Sequence, residues 1–287
     1  MTEPVDAFFT VRDGLKLHYR DYAGSDARPP LLCLPGLTRN TRDFADFAER
    51  HSPRFRVVAL EFRGRGSSDH DPVAARYIPP TYVQDTLELL DHLGIAQAIF
   101  VGTSLGGLVT MGIAVTQPQR IAGAILNDVG PELSSEGLDR IRTYVGRPSR
   151  FASWDEAARQ LASNNASFSA RYTHEDWVRM AHRTCREDDG IVCFDYDMAI
   201  AAPFADASPT PQFDMWPLFR ALAQKPLLVI RGDRSDLLSA EAAAKMQSEA
   251  PGMQLAVVKG VGHAPDLDEP EAVAAIDVFL KQFEGAD

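Results

Sequence analysis

Short apolar runs alternate with amphipathic segments along most of the chain, and this rhythm predicts the fold. The apolar runs are continuous rather than alternating, which is typical of strands buried on both faces of a sheet. They cover residues 31–34, 56–60, 98–101, 121–126, 226–230 and 254–258. Helical patterns lie near residues 41–50, 81–93, 239–250 and 271–283. Strands and helices in alternation predict an α/β protein with a parallel sheet covered by helices on both faces.

Two further features complete the layout. Residues 8–11 and 15–19 flank Asp13-Gly14 and predict an N-terminal hairpin, which brings the expected sheet to eight strands, mostly parallel. Residues 131–213 are polar, charged and helical in character, and a structureless loop of that length is improbable. We therefore expect a core domain formed by 1–130 and 214–287 and a helical cap formed by 131–213, above the carboxyl ends of the strands.

Composition narrows the classes of partner. The chain has 287 residues, 45% of them hydrophobic, and a formal net charge of −11. Such a surface repels phosphate backbones and anionic membranes, so we expect neither nucleic acid nor membrane as a partner. No apolar run is long enough to span a bilayer, and the first residues carry neither a basic region nor an apolar signal core. Three cysteines without framework spacing favour a reduced, cytoplasmic protein, although a disulfide between Cys185 and Cys193 stays open.

The segment most suggestive of chemistry is Gly102-Thr103-Ser104-Leu105-Gly106, between a predicted strand and a predicted helix. A serine between glycines at such a turn is the nucleophile-elbow pattern, in which the hydroxyl projects from a sharp bend. The helix that follows directs N–H groups and its positive dipole end to the same place. The alternative is that Ser104 is a turn residue that only caps the helix.

A serine nucleophile needs a base and an acid. Among seven histidines, His263 is the best candidate base, because it follows the last predicted strand in a glycine-containing loop. For the acid we favour Asp236, which lies between Gly232 and the helix predicted near residue 239. Asp128 is the reserve acid, and Asp233 leaves its strand too early.

Two backbone N–H groups are candidates for an oxyanion hole. Leu105 follows the nucleophile, and Leu37 follows Pro35-Gly36 after the first buried run. The glycine-rich loop 61–69 lacks phosphate-loop spacing, so we interpret it as a rigid wall in which Arg63 is paired with carboxylates. His182, Cys185 and Cys193 fit no familiar zinc spacing, and no metal is expected.

Together these motifs resemble the α/β-hydrolase fold family over nearly the whole chain. The resemblance rests on the elbow, on Arg63-Gly64-x-Gly66-x-Ser68, and on the ending Gly262-His263-Ala264-Pro265-x-Leu267-x-Glu269-Pro270. It implies a cofactor-free hydrolase with a helical cap and a triad of Ser104, Asp236 and His263. The acid of relatives usually lies three residues after the loop glycine, where this chain has Ser235. A serine at the elbow is unlike the aspartate or cysteine of epoxide hydrolases, haloalkane dehalogenases and dienelactone hydrolases.

Three functions follow as hypotheses. The first is hydrolysis of a small ester, lactone or related acyl compound through an acyl-enzyme on Ser104. The second is cleavage of a carbon–carbon bond in diketone-like ring-cleavage products. The third is a non-catalytic ligand receptor on a hydrolase scaffold. A homodimer is possible, and aromatic residues of the expected cap could line an acyl pocket or form the cap's own core: Trp154, Phe168, Tyr172, Trp177, Phe194, Tyr196 and Phe204.

Overall fold

A single eight-stranded sheet forms the centre of the protein. The computed structural model describes residues 3–165, 171–205 and 213–285. The strands lie in the order β1-β2-β4-β3-β5-β6-β9-β10. Their bounds are β1 Val5–Thr10, β2 Lys16–Tyr22, β3 Leu31–Leu34, β4 Val57–Leu60, β5 Ala98–Thr103, β6 Ile121–Asn127, β9 Leu227–Gly232 and β10 Gln254–Val258. Only β2 runs antiparallel to its neighbours, so the prediction of a mostly parallel eight-stranded sheet is confirmed.

Helices cover both faces of this sheet and follow the strands in the chain. Those of the core are α1 Ala45–His51, α2 Pro79–His92, α3 Leu105–Thr116, α8 Trp216–Leu222, α9 Ala240–Glu249 and α10 Pro270–Leu280. The central strands are buried along their length, as the continuous apolar runs predict. Helices on both faces explain why these strands carry no polar alternation.

The segment between β6 and β9, here called the insertion (131–213), departs from the parallel layout. Its elements in the described part are the helices α4 Ser135–Tyr144, α5 Trp154–Asn164, α6 His174–Thr184 and α7 Ala202–Ala205, a 3-10 helix Met198–Ala201, and the strands β7 Cys185–Asp188 and β8 Ile191–Phe194. The two strands form an antiparallel hairpin that the expectation of a purely helical segment missed. Its turn is Asp189-Gly190, where both residues have positive φ, so the Asp-Gly turn signal was present in the sequence.

The hairpin register also separates the two cysteines of the insertion. Cys185 lies opposite Phe194, whereas Cys193 lies opposite Arg186. Adjacent residues of a strand point to opposite faces, so the two side chains project to different sides of the hairpin. Cys33, Cys185 and Cys193 are free thiols. In the described part of the chain, no helix is long and apolar enough to cross a membrane.

Candidate active site

Ser104 lies in a strained turn between β5 and α3. Its φ is +51°, a left-handed conformation that residues other than glycine seldom adopt. The two flanking glycines allow the close packing around it. A Cβ on Gly102 would lie 2.6 Å from the backbone of Gly106, and a Cβ on Gly106 would lie 2.1 Å from the carbonyl oxygen of Leu34. The glycines of the motif are therefore required by the approach of α3 to the sheet.

His263 reaches this serine from the loop that follows β10. Its Nε2 atom lies 2.9 Å from Ser104 Oγ, which is hydrogen-bond distance. The imidazole is 9% exposed, so it meets the hydroxyl in a largely water-excluded place. The structure thus brings together the two residues that the sequence analysis paired as nucleophile and base.

The carboxylate at His263 is Asp128, and the prediction that Asp236 occupies this place is wrong. Asp128 Oδ2 lies 2.8 Å from His263 Nδ1. Asp128 follows β6 directly and, like Ser104, has a positive φ, of +56°. Ser235, at the position where relatives usually carry the acid, donates its hydroxyl to Asp128 Oδ2 at 2.6 Å. A serine there leaves room for a carboxylate from the neighbouring strand, and this substitution was the signal that could have favoured Asp128.

Asp236 instead forms an ion pair with Arg140 of α4. Two of the three guanidinium nitrogens, Nε and Nη2, donate to its carboxylate oxygens. Burial acts to raise the pKa of Asp236, but the Arg140 hydrogen bonds and charge outweigh it and hold that pKa below its usual value. Arg140 is a residue that the sequence analysis missed, since an arginine on an amphipathic helix is usually solvated.

The candidate oxyanion donors lie beside the nucleophile. Leu37 and Ser104 line the same pocket, and Leu105 is the first residue of α3. Across the residues that the structure describes, no hydrogen bond uses the N–H of Leu37 or Leu105. Neither N–H group therefore has a protein acceptor within the described part of the chain.

The pocket at Ser104 is closed by the insertion on one side and by loops of the core on the other. Ile141, Tyr144, Leu161 and Met180 contribute apolar surface from the insertion. Phe194 and Tyr196 are the described members of the predicted aromatic set that line it. Tyr172 packs edge-on against Trp177, and Trp154 stacks on His182, so these three aromatics form packing within the insertion. Phe168 and the side chain of Phe204 lie outside the described residues.

Charged groups on the core side of the pocket are paired with one another. Arg39 donates to both oxygens of Asp43, at 2.5 and 2.7 Å. Asp266 accepts a hydrogen bond from Tyr172, and burial raises the pKa of this carboxyl. The charge of Arg39 is therefore compensated by Asp43, and Asp266 lies 3.8 Å from Nη1 of Arg183.

The loop after β4 holds Arg63 paired with carboxylates, as predicted, but none of residues 61–69 is among the described residues that line the pocket. Arg63 forms ion pairs with Asp13, Asp71 and Asp85, and its side chain is only 2% exposed. The loop therefore connects the N-terminal hairpin to α2, and Arg63 carries no unpaired charge for a ligand.

The comparison with known proteins identifies the family. The model of the "Alpha/beta hydrolase family" matches residues 31–276. The chain belongs to this family. A curated relative, the 3-hydroxybutyrate-oligomer hydrolase of Cupriavidus necator, is 34% identical over 274 residues, or 92% of each chain. The 2-(acetamidomethylene)succinate hydrolase of Mesorhizobium japonicum is 28% identical over 257 residues, or 88% of each chain.

Solved structures of this α/β-hydrolase family agree with the fold described above. An α/β hydrolase from Novosphingobium aromaticivorans is 51% identical and has a TM-score of 0.93, with 98% of this chain and 99% of that chain covered. E-2-(acetamidomethylene)succinate hydrolase has a TM-score of 0.82 at 25% identity, with 99% and 100% covered. These relatives are hydrolases by name, which supports a general hydrolase function for this chain.

Proposed function

We propose that this α/β hydrolase is a serine hydrolase of small carboxylic esters, acting through an acyl-enzyme on Ser104. The observation that carries the proposal is the hydrogen-bonded chain from Asp128 through His263 to Ser104, with distances of 2.8 and 2.9 Å. An alcohol, an imidazole and a carboxylate in this order form the arrangement that makes a serine hydroxyl nucleophilic.

In the proposed reaction, His263 Nε2 accepts the proton of Ser104 as Oγ bonds to the ester carbonyl carbon. Asp128 accepts the Nδ1–H of the imidazole and stabilises the imidazolium that forms. The N–H groups of Leu37 and Leu105 donate to the negative oxygen of the tetrahedral intermediate. His263 then gives its proton to the leaving alcohol, and the acyl group stays on Ser104.

A water molecule completes the cycle. His263 removes a proton from the water, whose oxygen bonds to the acyl carbon, and the tetrahedral intermediate collapses to release Ser104. The proton returns from His263 to the serine oxygen, and the product is a carboxylic acid. Every proton transfer in both halves uses one imidazole nitrogen, so the hydrogen bond to Asp128 has to hold the ring in a single orientation.

The substrate class we propose is a short ester with a polar acyl part. The apolar residues of the insertion suit a short carbon chain, and the paired charges of the core side suit neutral polar groups such as ester oxygens. Oligoesters of short hydroxy acids belong to this class, and the relative named for 3-hydroxybutyrate oligomers supports their inclusion. We also propose that the insertion acts as a cap that shapes this pocket.

A substrate panel tests the function. We expect the purified protein to hydrolyse p-nitrophenyl acetate and butyrate, and linear dimers and trimers of 3-hydroxybutyrate, measured by colour release and by chromatography of the acids. A fluorophosphonate should phosphonylate Ser104 with loss of fluoride, adding the mass of the reagent less HF, and Ser104→Ala should abolish both labelling and turnover.

Other outcomes would replace the proposal. A Ser104→Ala variant with undiminished ester hydrolysis would contradict it. A strong preference for a vinylogous diketone over every ester would assign carbon–carbon bond cleavage instead. Tight binding of such compounds without turnover by the wild type would assign a receptor.

A further inference from the structure

Arg65, in the loop after β4, is a buried cation without a carboxylate partner. The residue is 0% exposed. Among the residues that the structure describes, no ion pair includes it, whereas its neighbour Arg63 pairs with three carboxylates. A buried charge without an ionic partner is costly, and its retention needs compensating contacts.

Arg65 contacts its own loop, two tyrosine rings and the loop that carries Leu37. Its Nη1 donates to the carbonyl oxygen of Arg63 at 2.7 Å and to the hydroxyl of Tyr82 at 2.9 Å. Its guanidinium carbon lies 5.6 Å from the ring centre of Tyr77 and 5.0 Å from that of Tyr82. Cation–π contacts and carbonyl acceptors thus replace a carboxylate in part, while the buried Nη2 atom has no hydrogen-bond partner within the described residues.

The remaining contact joins Arg65 to the loop that carries a candidate oxyanion donor. Arg65 Nε donates to the carbonyl oxygen of Leu37 at 2.8 Å. This hydrogen bond connects two loops 28 residues apart in the chain. The group that we propose to bind the oxyanion is the N–H of the same residue, Leu37.

The geometry of the turn explains how this contact fixes the N–H. Arg39 N donates to Gly36 O at 3.2 Å, which orients the peptide plane between Gly36 and Leu37. In a trans peptide the C=O and N–H point in opposite directions, so the Leu37 N–H points away from Arg39. The next peptide plane, between Leu37 and Thr38, is held by Arg65 through its carbonyl oxygen. With both planes held, Leu37 keeps one pair of dihedral angles.

The loop that contains Arg65 also forms hydrogen bonds with the insertion. Gly66 N donates to Asp195 O at 3.0 Å, and Asp197 N donates to Gly64 O at 2.7 Å. These two hydrogen bonds lie on either side of Arg65, whose backbone forms an isolated antiparallel β-bridge with Tyr196. Tyr196 is one of the residues that line the pocket. Arg65 therefore lies where the insertion docks on the core and touches the oxyanion loop from that place.

We propose that Arg65 is a positioning residue that holds the Leu37 N–H in place for the oxyanion and connects this N–H to the docked insertion. The inference rests on the proposed serine-hydrolase function. It assigns to Arg65 an effect on the transition state rather than on binding of the ground state, because the oxyanion exists only after Ser104 has attacked.

The experiment compares Arg65→Met and Arg65→Lys with wild type on p-nitrophenyl butyrate. Loss of one oxyanion donor commonly costs about 10²–10³ in kcat, and a misoriented donor should cost part of this, roughly 10- to 100-fold. We expect kcat of Arg65→Met to fall by that factor while KM changes by less than about threefold. Arg65→Lys keeps the charge but offers no planar fork, and should fall between Met and wild type.

A transition-state analogue separates this role from a merely structural one. A trifluoromethyl ketone forms an oxyanion on Ser104, whereas butyramide binds with a neutral carbonyl oxygen. We expect the inhibition constant of the ketone to rise in parallel with the loss of kcat, and that of butyramide to stay near the wild-type value. Circular dichroism and thermal melting establish that each variant is folded. If Arg65→Met does not fold, Arg65→Lys becomes the variant that tests the proposal.

Arg28→Met is a matched control, because Arg28 also donates to a backbone carbonyl, Arg54 O at 2.9 Å, and also contacts an aromatic ring, that of Phe55 at 5.5 Å. It should change neither kcat nor the ketone constant. Wild-type kcat and ketone inhibition in the folded Arg65 variants would overturn the proposal, and so would equal losses of ketone and butyramide affinity. A wild-type protein inert toward all esters would instead overturn the proposed function.

Discussion

Asp128 is held by hydrogen bonds on both of its carboxylate oxygens. Gly232 N donates to Oδ1 at 2.9 Å, while Ser235 Oγ and His263 Nδ1 meet Oδ2 at 2.6 and 2.8 Å. Ser235 in turn accepts hydrogen bonds from the N–H groups of Leu237 and Leu238. Such a network keeps the carboxylate in one rotamer and therefore keeps the imidazole of His263 aimed at Ser104.

Substitution of the two aspartates distinguishes their roles. Asp128→Asn should lower kcat toward short esters by about 10³- to 10⁴-fold, because an amide no longer fixes the imidazole tautomer or stabilises the imidazolium. Asp236→Asn should lower kcat by less than about tenfold, because this side chain has its hydrogen bonds with Arg140 and not with His263. Steady-state kinetics on p-nitrophenyl butyrate measures both. A larger loss of kcat in Asp236→Asn than in Asp128→Asn would instead indicate that Asp236 is the acid that supports His263.

Gly106, two residues after Ser104, lies where the addition of a side chain should destabilise the protein. A Cβ at residue 106 would meet the Leu34 carbonyl oxygen at 2.1 Å, and backbone cannot move as a flexible side chain does. Gly106→Ala should therefore lower the free energy of unfolding by about 3 kcal/mol or more, in the range of severe overpacking. Gly252→Ala is the control, since a Cβ on Gly252 would have no other atom within 4 Å. Urea unfolding should find this second variant within about 0.5 kcal/mol of wild type.

At the scale of elements, the insertion is attached to the core on two sides. Arg140 of α4 reaches Asp236, which follows β9. On the other side, Arg42 reaches Asp195 and the carbonyl oxygens of Arg183 and Cys185. The helices and hairpin that line the pocket are thus positioned by partly buried arginines, which form directional contacts to carboxylate and backbone.

Loss of the Arg140 contact should weaken substrate binding, measured as KM, more than it slows the chemical step, measured as kcat. Arg140 also reaches Asn165, a pocket residue, so its removal frees the end of α5 as well as α4. In Arg140→Met we expect KM for p-nitrophenyl butyrate to rise by about 3- to 10-fold and kcat to change less. Arg142→Met, on the same helix but paired with exposed Asp139, should leave both constants unchanged. A kcat loss without a KM change in Arg140→Met would contradict a role in positioning the insertion.

The elements show which parts of the fold were predictable. β3 and β10 have the predicted bounds, and β4 and β6 differ by one residue at an end, because a continuous apolar run between turn signals has few alternatives to a buried strand. The hairpin β7–β8 was missed, since β7 reads Cys-Arg-Glu-Asp and is exposed after its first residue. Its stability comes from packing in the insertion, which a local pattern does not contain.

The residues of the candidate site that a short local sequence pattern marks could be predicted, and those that depend on contacts between distant segments could not. Ser104 and His263 follow from glycine-flanked positions at the ends of predicted strands. The acid did not, because three aspartates end neighbouring strands and the choice depends on side-chain directions after residues 128 and 236. The contacts of Arg65 could not be predicted from the sequence for the same reason, since its hydrogen-bond partner Leu37 lies in another loop.

At the scale of the whole molecule, two buried histidines couple stability to pH in opposite directions. His51, fully buried and beside Arg54, has a pKa lowered to about 4 by burial and then by the arginine charge. His18 lies between Glu61 and Asp6, at 2.9 and 2.8 Å. Burial acts to lower the pKa of His18, but the two carboxylates outweigh it and raise that pKa.

The His51 pKa predicts acid sensitivity. Between pH 6.5 and about 4 the unfolded chain binds a proton at this residue that the folded protein does not, so stability falls as the pH falls, by about 1.4 kcal/mol per unit at most. His51→Gln should be less stable than wild type at pH 7 but should lose less stability down to pH 4.5. Urea unfolding at a series of pH values measures the slopes, and equal slopes would contradict the assignment.

The His18 pKa predicts the opposite sign. A raised folded-state pKa gives stability that is fully present below about pH 6.5 and is lost as the pH rises through the folded value. The difference in unfolding free energy between wild type and His18→Gln should therefore be largest below about pH 6.5 and shrink as the pH rises above it. A difference that grows with pH would mean that His18 is neutral in the folded protein.

The register of two neighbouring strands has a consequence for how this enzyme family member could be re-engineered. Thr103 of β5 pairs with Asn127 of β6, and the next residue of each strand is Ser104 and Asp128, respectively. The spacing of Ser104 and Asp128 is therefore set by one residue pair of the sheet, and both residues of that pair precede 131–213 in the chain. A graft that exchanges that whole stretch for the equivalent of another hydrolase would change what the pocket admits while it leaves this pair in register.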